Sequence, residues 1–363
     1  MKKKILLFNL TPRMWMLHHC SQFANELVKK YDVYVVIADY YDGFLYDEKI
    51  KLLKIKTNPS AISFIFDSLM VWNQIYLRKE INKIHPDIIH FMDNHPRYSF
   101  YIKHAKRLWY QVYVTQHDPV LHTWDNQWLM GRVSLWMNKV LRENADKLIV
   151  HWEHLKQQEV EIYKIIPNKI TVVPVWNYSW VFTKRAKWTK PKDNYFLFFW
   201  RISDYKWLDI LLESLELVKK EIKNFKLMIV WFWDISKYQK LINNNKEYIE
   251  LYNYDIPDNE VYKYFEMAEF VVLPYKDATW SWVIPTAFSF SKAVITTDVW
   301  ELATHVKNKK SWIIIKPNNI NQLAESIVWM LNNKEKVVEM WKEWKKYSEE
   351  KLWWKSIVDE IYN

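Results

Sequence analysis

The chain has 363 residues and half of them are apolar, so it is long enough for two domains of ordinary size and too apolar for an intrinsically disordered protein. Its single cysteine, Cys20, excludes an intrachain disulfide framework and indicates a reducing compartment. The formal net charge is +10, with most of the excess in residues 1–183. That excess fits an ordinary solvated surface, but also an anionic membrane surface or an anionic substrate; nucleic acid is not expected, because no basic stripe carries interleaved aromatic residues.

The first half of the chain alternates strand-like apolar runs with helix-like segments. Strands are predicted at 5–10, 33–40, 87–91, 111–118, 147–152 and 169–175. Helices are predicted near 20–31, 68–84, 97–108, 131–143 and 153–164. The first run, ILLFNL, is too short for the hydrophobic region of a signal peptide, and no run approaches the roughly 20 apolar residues of a membrane span. We therefore expect a cytoplasmic protein, at most peripheral at the inner membrane face.

A basic, proline-containing stretch at residues 184–194 predicts an interdomain linker, after which the alternation restarts. Strands are predicted at 195–200, 225–231, 249–254, 269–275, 293–298 and 312–317. Helices are predicted at 207–222, 235–246, 258–267, 283–291, 319–332 and 334–349. Apolar runs that alternate with helices indicate parallel sheets covered on both faces. The sequence therefore predicts an α/β protein with two doubly wound Rossmann-like domains, at 1–183 and 195–345, facing a common cleft. Residues 346–363 are predicted to form a helix that returns to the first domain.

Two loops of the second domain carry candidate phosphate ligands, because ligands of doubly wound sheets bind beyond the carboxyl ends of the strands. The loop WRISDYKW supplies Arg201 and Lys206 just before a helix N-terminus, a combination that suits a diphosphate. The loop KDATWSWVIPTAF offers the Ser281 hydroxyl and the backbone N–H groups at 282–284, where a helix starts near Val283, to a second phosphate. Taken alone, the first loop equally fits a solvated segment with surface charges.

In the first domain, the segments TPRMWMLHH (11–19) and TQHDPVLH (115–122) follow strands and are expected at the cleft. His117 could contact a sugar hydroxyl or stabilise charge, although a histidine at a strand end is more often a hydrogen-bonded structural residue. The loop histidines come from different loops, with no His-x3-His pair, no second cysteine and no Asp-x-Asp pair. We therefore expect no metal and no other cofactor.

The order of motifs in the second domain resembles that of a known family. WRISDYKW stands where the family has Gly-Arg and then Lys-Gly, and MIVWFWD where it has Gly-x-Gly after a strand. LPYKDATWSWVIPTAFSFSKAVITTDVWEL stands where it has a Gly-x-Gly loop, a helix, a strand and Asp-x-Gly, and SWIIIKP matches its next strand. LTPRMWMLHHCSQFANEL is similar to its opening. Over nearly its whole length the chain thus resembles the retaining glycosyltransferases of GT-B architecture in family four, the glycosyl transferases group 1.

The resemblance implies an enzyme that moves a sugar from a nucleotide diphosphate-sugar to an acceptor hydroxyl with retention of anomeric configuration. The acceptor would be a glycan or lipid-linked glycan of the cell surface, in the synthesis of capsule, lipopolysaccharide or exopolysaccharide. It implies His117 as the catalytic residue. The candidate donor-binding residues are Arg201, Lys206, Tyr254, Thr279, Ser281, Trp282 and Val283. The candidate residues of the N-terminal loop are Arg13, Trp15 and Met16.

Tryptophan and glycine usage is unusual, with 23 tryptophans and only two glycines, Gly43 and Gly131. A chain of this length would ordinarily contain about 25 glycines. Nine tryptophans stand where the family has glycine: Trp15, Trp200, Trp207, Trp231, Trp233, Trp280, Trp282, Trp300 and Trp312. A systematic replacement of glycine by tryptophan explains these positions, because they fall at turns rather than on one face. Tryptophan at a positive-φ position would be strained by roughly 1–2 kcal/mol or more.

A second departure leaves an alternative open. The family often has two glutamates, eight positions apart, that contact the donor sugar and ribose; here they are Thr279 and Ala287. The alternative to an active enzyme is therefore a catalytically impaired nucleotide-sugar or membrane-surface binding protein of the same fold.

Overall fold

The computed structural model describes residues 2–10, 14–57, 71–93, 95, 97–117, 128–173, 182–183, 185–199, 207–230, 234–257, 259–276, 281–299, 312–351 and 354–363. The chain divides into two compact units, one of Met1–Val175 with Trp353–Asn363 and one of Trp176–Leu352. Each unit is a parallel sheet with helices between its strands, which confirms the predicted pair of Rossmann-like α/β domains. In the described parts of the chain, no helix has the length and apolar character that crossing a membrane requires.

The first unit is built on a seven-stranded sheet. Its elements are β1 (Lys4–Asn9), α1 (Met14–Leu27), β2 (Asp32–Ala38), β3 (Lys51–Ile55), α2 (Val71–Ile84), β4 (Ile88–Phe91), α3 (Tyr98–Arg107), β5 (Gln111–Thr115), α4 (Trp128–Asn144), β6 (Lys147–Val150), α5 (Glu153–Glu161) and β7 (Ile170–Val172). The strand order is β3-β2-β1-β4-β5-β6-β7, and every pair is parallel. All four residues of β4 are buried, as a strand with helices on both faces requires.

The second unit is built on a six-stranded sheet. Its elements are β8 (Tyr195–Phe199), α6 (Leu208–Glu221), β9 (Lys226–Val230), α7 (Gln239–Asn244), β10 (Ile249–Tyr252), α8 (Val261–Met267), β11 (Phe270–Leu273), α9 (Val283–Ser289), β12 (Ala293–Thr297), β13 (Trp312–Ile315), α10 (Ile320–Asn332) and α11 (Lys334–Lys351). The order is β10-β9-β8-β11-β12-β13, again all parallel. Apolar side chains of both sheet faces form two separate core clusters.

Two elements of the first unit differ from the sequence-based prediction. The edge strand β3 was not predicted, because its sequence KLLKI carries two lysines in five residues and only Ile55 is fully buried. Helix α1 begins at Met14 rather than near residue 20, so Met16 and His19 lie on a helix and not in a loop. Met16 is buried, because the first turns of α1 pack against the sheet directly after β1.

Residues 185–194, predicted as a linker, are held to the second unit in the structure. The Lys192 N–H donates to the Met267 carbonyl at 3.0 Å, and the Trp188 N–H donates to Glu266 Oε1 at 2.5 Å. These bonds attach the stretch to α8, and the unit boundary falls earlier, at Val175 and Trp176.

The last helix, α12 (Trp354–Tyr362), belongs to the first unit. Its apolar face, with Ile357, Val358 and Ile361, is buried, and it packs against α1. Its two ends are tied by hydrogen bonds: Trp354 Nε1–H donates to Gln22 Oε1 at 3.1 Å, and the Tyr362 hydroxyl lies 2.6 Å from His90 Nδ1. This helix of nine residues is thus packed into the first unit.

Eight described residues other than glycine have positive φ, and three of them are tryptophans: Trp109 (61°), Trp188 (55°) and Trp207 (42°). Trp109 follows α3, where its N–H donates to the Lys106 carbonyl and the Tyr110 N–H donates to the Ala105 carbonyl. This pair of bonds is the Schellman motif, whose left-handed position usually holds glycine. Trp282, by contrast, has φ −65°, so its backbone is not strained.

Replacing Trp109 by glycine is expected to raise the free energy of unfolding by about 1 kcal/mol, because glycine adopts the left-handed region without a Cβ penalty. The indole is 92% exposed, so little packing is lost. Urea denaturation followed by circular dichroism measures the change.

The matched control is Trp136→Gly in the same unit. Trp136 is half exposed inside α4, where glycine is expected to lower the free energy of unfolding by roughly 0.5–1 kcal/mol. A Trp109→Gly protein no more stable than the parent would contradict the glycine preference of this position.

A buried ion pair joins α4 to α5. Arg142 Nε–H donates to both carboxylate oxygens of Glu159, at 2.8 and 2.7 Å, and the two side chains are 2% and 0% exposed. The guanidinium carbon also lies 3.6 Å from the ring centre of Tyr163. Burial raises the pKa of Glu159, and Arg142 opposes the rise. The carboxylate is therefore held in place by Arg142 against a desolvation cost.

Replacing Glu159 by leucine is expected to lower the free energy of unfolding by about 3–5 kcal/mol, because Arg142 is left as an uncompensated buried charge. The double variant Arg142→Met/Glu159→Leu is expected to recover most of that loss, since it removes both charges. Chemical denaturation of the parent protein and the two variants measures the difference in the free energy of unfolding. Equal losses of unfolding free energy in the single and double variants would show that side-chain shape, rather than the buried charge, determines the destabilisation.

Candidate functional site

Polar atoms of four residues meet at the carboxyl edge of the first sheet, where β4, β5, β6 and β7 end side by side. His117 Nε2 lies 2.9 Å from the Met92 carbonyl oxygen, and His117 Nδ1 lies 3.0 Å from His151 Nε2. His151 Nδ1 lies 3.4 Å from the Val173 carbonyl oxygen. Each residue lies one or two positions beyond the end of its strand, so the parallel strands bring the four residues side by side, and we call them the histidine line.

Burial disfavours a positive charge on three histidines at this edge, His19, His90 and His151. It lowers the pKa of His151 well below the ordinary value, and the nearby His117 lowers it further. Burial likewise lowers the pKa of His19, whose ring centre lies 5.3 Å from that of His117. The pKa of His90 falls to about 3, again chiefly through burial. These three rings therefore offer hydrogen-bond donors and acceptors rather than positive charge.

A second buried polar group lies beside the end of β1. The Leu10 N–H donates to the Tyr98 hydroxyl at 2.9 Å, and that hydroxyl donates to Asp93. Asn9 Nδ2 donates to the Met16 carbonyl at 3.2 Å, which ties the start of α1 to β1. Of the predicted N-terminal loop residues, Met16 is thus placed at this edge by its backbone, with its side chain in the core.

In the second unit, Ser281 and Val283 stand at the start of α9, after β11. The Ser281 hydroxyl is buried and lies 2.7 Å from the Tyr275 hydroxyl, so this contact joins the segment after β11 to the start of α9. The Ile284 N–H, one of the three backbone groups predicted for a phosphate, donates to the Ser281 carbonyl at 3.3 Å. Val283 is buried, so its side chain offers no contact to a ligand in this structure. Trp282 precedes the helix with a half-buried side chain.

Tyr254 lies just beyond β10 and is 44% exposed. Its hydroxyl shares a short hydrogen bond with that of Tyr264, whose ring stacks edge-on against Tyr252 at 4.9 Å. Burial raises the pKa of Tyr264, and one of the two hydroxyls donates to the other. The arrangement fixes the Tyr254 side chain at the carboxyl edge of the second sheet.

The remaining predicted residues lie outside what the structure describes: Arg13, Arg201, Lys206 and Thr279. For Trp15 the structure gives only its place on α1. His151 was not predicted to lie at this site. Its position directly after a buried strand is the signal that could have placed it there. Among the described residues, no three His, Cys, Asp or Glu side chains are grouped as a metal ion requires.

Two family models match the chain, one on each unit. Residues 18–175 match Glycosyltransferase Family 4, and residues 181–351 match Glycosyl transferases group 1. A curated relative, an uncharacterized glycosyltransferase of Methanocaldococcus jannaschii, is 28% identical over 225 residues. That alignment covers 61% of this chain and 59% of the relative, so the chain spans less than two thirds of the relative's length.

Solved structures share the fold over almost the whole chain. Sucrose-phosphate synthase from Thermosynechococcus elongatus superimposes with a TM-score of 0.72 at 14% identity, over 99% of this chain and 97% of that one. Anabaena HepE in complex with UDP-glucose gives 0.71 at 11% identity, over 99% and 98%. S. aureus TarM, in a complex with fondaparinux, alpha-GlcNAc-glycerol and UDP, gives 0.72 at 14% identity, over 99% of both chains. The chain thus carries one glycosyltransferase family match on each unit, and it shares the GT-B fold of these solved structures.

Proposed function

We propose that the protein transfers a sugar from a nucleotide diphosphate-sugar to an acceptor hydroxyl, with retention of the anomeric configuration. The observation that carries the proposal is that the two glycosyltransferase family models between them match both units. The carboxyl edges of the two sheets, where such folds bind ligands, carry the polar side chains expected of a site.

In this proposal the second unit holds the donor and His117 contacts the donor sugar. Arg201 and Lys206 would neutralise the diphosphate as it leaves, and the backbone at the start of α9 would add hydrogen-bond donors where charge develops. Neither edge presents an obvious protein nucleophile among the residues described. Attack of the acceptor on the same face as the leaving group, assisted by the leaving phosphate, accounts for retention without one. No metal or other cofactor is part of the proposal.

We assign the acceptor to cell-surface glycan synthesis. A basic and apolar helical surface of the first unit supports this setting, because α3 packs beside both α2 and α4. Exposed aromatic and aliphatic side chains on it are Ile75, Tyr76, Phe100, Leu135 and Trp136. Exposed basic side chains on it are Lys79, Lys103 and Arg107. Together they suit the headgroup region of an anionic bilayer, which would keep a peripheral enzyme near a lipid-linked acceptor.

The alternative is a protein that binds nucleotide-sugars without turnover. It is favoured by Thr279 and Ala287, which stand where the family often has glutamates. Ala287 is fully buried in α9, so its side chain offers no contact to a donor. Binding of a nucleoside diphosphate without sugar transfer, across a broad panel of donors and acceptors, would select this alternative.

A nucleoside diphosphate is expected to raise the thermal unfolding midpoint, because a ligand at about 100 times its Kd stabilises the folded state by about 2.7 kcal/mol. UDP, GDP and ADP are compared, and the matching donor sugars are then assayed for release of the nucleoside diphosphate. His117→Ala is expected to lower kcat for that release by about 100-fold or more if His117 acts on the reacting sugar.

The matched control is His104→Ala, since His104 lies on α3, away from the histidine line, with its Nε2 3.3 Å from Asn82 Oδ1. The control is expected to leave turnover unchanged. A parent protein that is stabilised by none of the three nucleotides and hydrolyses none of their sugars would contradict the proposed function.

Replacing Lys79, Lys103 and Arg107 by glutamate is expected to weaken binding to anionic vesicles by more than about tenfold, since each basic residue near such a surface contributes about 1 kcal/mol. Vesicle sedimentation measures it, with neutral phosphatidylcholine vesicles for comparison. The control changes three exposed lysines of the second unit by the same charge: Lys220, Lys240 and Lys246. Equal weakening in both triple variants would show that net charge alone drives binding and would contradict the assigned surface.

A further inference from the structure

A cavity of about 410 Å³ lies at the amino edge of the second sheet and is lined by residues of the second unit. Its lining includes Asp193 before β8, Glu269 directly before β11 and Lys292 directly before β12. We call it the Lys292 cavity. Sites for small molecules have volumes of roughly 300–1,000 Å³, so the cavity is large enough for a ligand. Strands β11 and β12 have four and five residues, which puts roughly 13–17 Å between this edge and the carboxyl edge of the same sheet.

The side chain of Lys292 is buried but incompletely bonded. The residue is 6% exposed, and its backbone N–H donates to the Ala287 carbonyl at 2.9 Å in the turn that follows α9. Within the described chain its ammonium has one hydrogen bond, to the Glu266 carbonyl at 3.3 Å. Because an ammonium carries three N–H donors, two of them have no partner among the described residues. Burial lowers the pKa of Lys292 to about 8, while Glu266 and Glu269 oppose the fall.

A carboxylate oxygen near Lys292 is also incompletely bonded. Glu269 Oε1 lies 2.7 Å from Lys334 Nζ, but the buried Oε2 has no hydrogen-bond partner in the part of the chain that the structure describes. The Glu266 carboxylate, by contrast, accepts from the Trp188 N–H at 2.5 Å. Because a buried polar atom without a partner is unfavourable, a ligand that bonds to Glu269 and Lys292 together would be stabilised.

The charges of the lining indicate a neutral ligand. The lining carries three acidic and three basic side chains: Asp193, Glu266, Glu269, Lys190, Lys292 and Lys334. A ligand with a net charge would lose its hydration on entering and would gain no net counter-charge from this lining. A hydroxyl group is neutral and both accepts and donates, so it can accept from Lys292 and donate to Glu269 Oε2.

The rest of the lining includes apolar and aromatic side chains. The ring centres of Trp188 and Phe290 lie 6.3 Å apart, and Met330 of α10 and Val337 and Trp341 of α11 also line the cavity. The face of an aromatic ring is electron-rich and attracts polarised C–H groups. A neutral sugar ring carries such C–H groups on one face and hydroxyl groups at its edge, so it matches both parts of the lining.

We propose that the Lys292 cavity is a second ligand site of this protein, which binds a neutral saccharide through Lys292, Glu269 and the aromatic side chains beside them. The saccharide hydroxyl groups accept from the Lys292 N–H groups and donate to Glu269 Oε2. Because the cavity lies at the edge of the sheet opposite the proposed donor site, it holds a sugar other than the one that is transferred. This site does not depend on the proposed glycosyl transfer.

Competitive acetylation of the parent protein tests the site directly. Lysines are labelled with a trace of acetic anhydride at pH 8, where about half of the Lys292 amine is neutral, and the labelled peptides are quantified by mass spectrometry. The probes are the methyl glycosides of glucose, galactose and N-acetylglucosamine. At about nine times its Kd a glycoside leaves one site in ten free, so labelling of Lys292 is expected to fall by about tenfold. Labelling of the exposed Lys263, which lies on α8, is expected to stay unchanged.

Three results would overturn the site or its assignment. The site is overturned by a Lys292 that is not labelled in the absence of glycoside, or that is labelled equally with every glycoside present. Equal protection by glycerol at the same concentration would overturn the assignment to a saccharide. Protection by UDP, GDP or ADP would overturn the assignment to a neutral ligand.

Replacing Glu269 by alanine is expected to raise the glycoside concentration that half-protects Lys292 by about tenfold or more, because a hydrogen bond to a charged group is lost. The matched control is Glu216→Ala, which removes an exposed glutamate that lies 2.6 Å from Lys219 on α6 of the same unit. The control is expected to leave protection of Lys292 unchanged. Equal weakening in both variants would overturn the assigned role of Glu269.

A second variant, Lys292→Met, keeps the apolar stem of the side chain without its N–H donors. Calorimetry is expected to show glycoside binding weakened by about tenfold or more, and unchanged affinity would overturn the role of Lys292. If neither variant folds, protection of Lys292 in the parent protein still decides the question. A parent protein that binds glycosides at Lys292 but transfers no sugar would contradict the proposed function and leave this site standing.

Discussion

Parallel pairing of strands buried on both faces is the constraint on which the rest of the structure depends. Such strands need helices on both sides, and every crossover returns the chain to the same edge, so residues that follow successive strands become neighbours. Met92 and His117 are 25 positions apart, and His117 and His151 are 34 apart, yet their polar atoms lie at hydrogen-bond distance. No local motif is needed for this, because the register of β4, β5 and β6 places the atoms there.

The same burial that stabilises the sheet determines what chemistry its edge can support. An imidazole removed from water resists protonation, so the buried ring of His151 acts through its hydrogen bonds rather than through a positive charge. Arg142 and Glu159 show another solution in the first unit, where two full charges are buried beside each other. Both arrangements limit the cost of desolvating a charge: the buried histidine stays neutral, and Arg142 and Glu159 form an ion pair.

The sequence predicted both sheets because apolar runs at regular intervals depend only on burial, which a linear pattern records well. Strand β3 was missed because an edge strand with two lysines in five residues looks like a surface loop, and the start of α1 was missed because His18 and His19 were interpreted as loop residues. His117 was singled out by its place after a strand. The distances that join His117 to Met92 and His151 could not be predicted, because they depend on side-chain orientations that a linear pattern does not record.

Four of the described tryptophans fall into two groups, three with a positive φ and one without. Trp109, Trp188 and Trp207 have left-handed backbones, each costing roughly 1–2 kcal/mol, so together they take up a substantial share of a typical stability of about 5–15 kcal/mol. Trp312 is different: it is buried in β13 with its ring 5.0 Å from Phe288, so its indole contributes to the core of the second unit. Backbone strain is therefore an argument for glycine at the first three positions and not at Trp312, where only the family resemblance supports a glycine. Any account of these tryptophans must treat the turn positions and the packed position as separate physical cases.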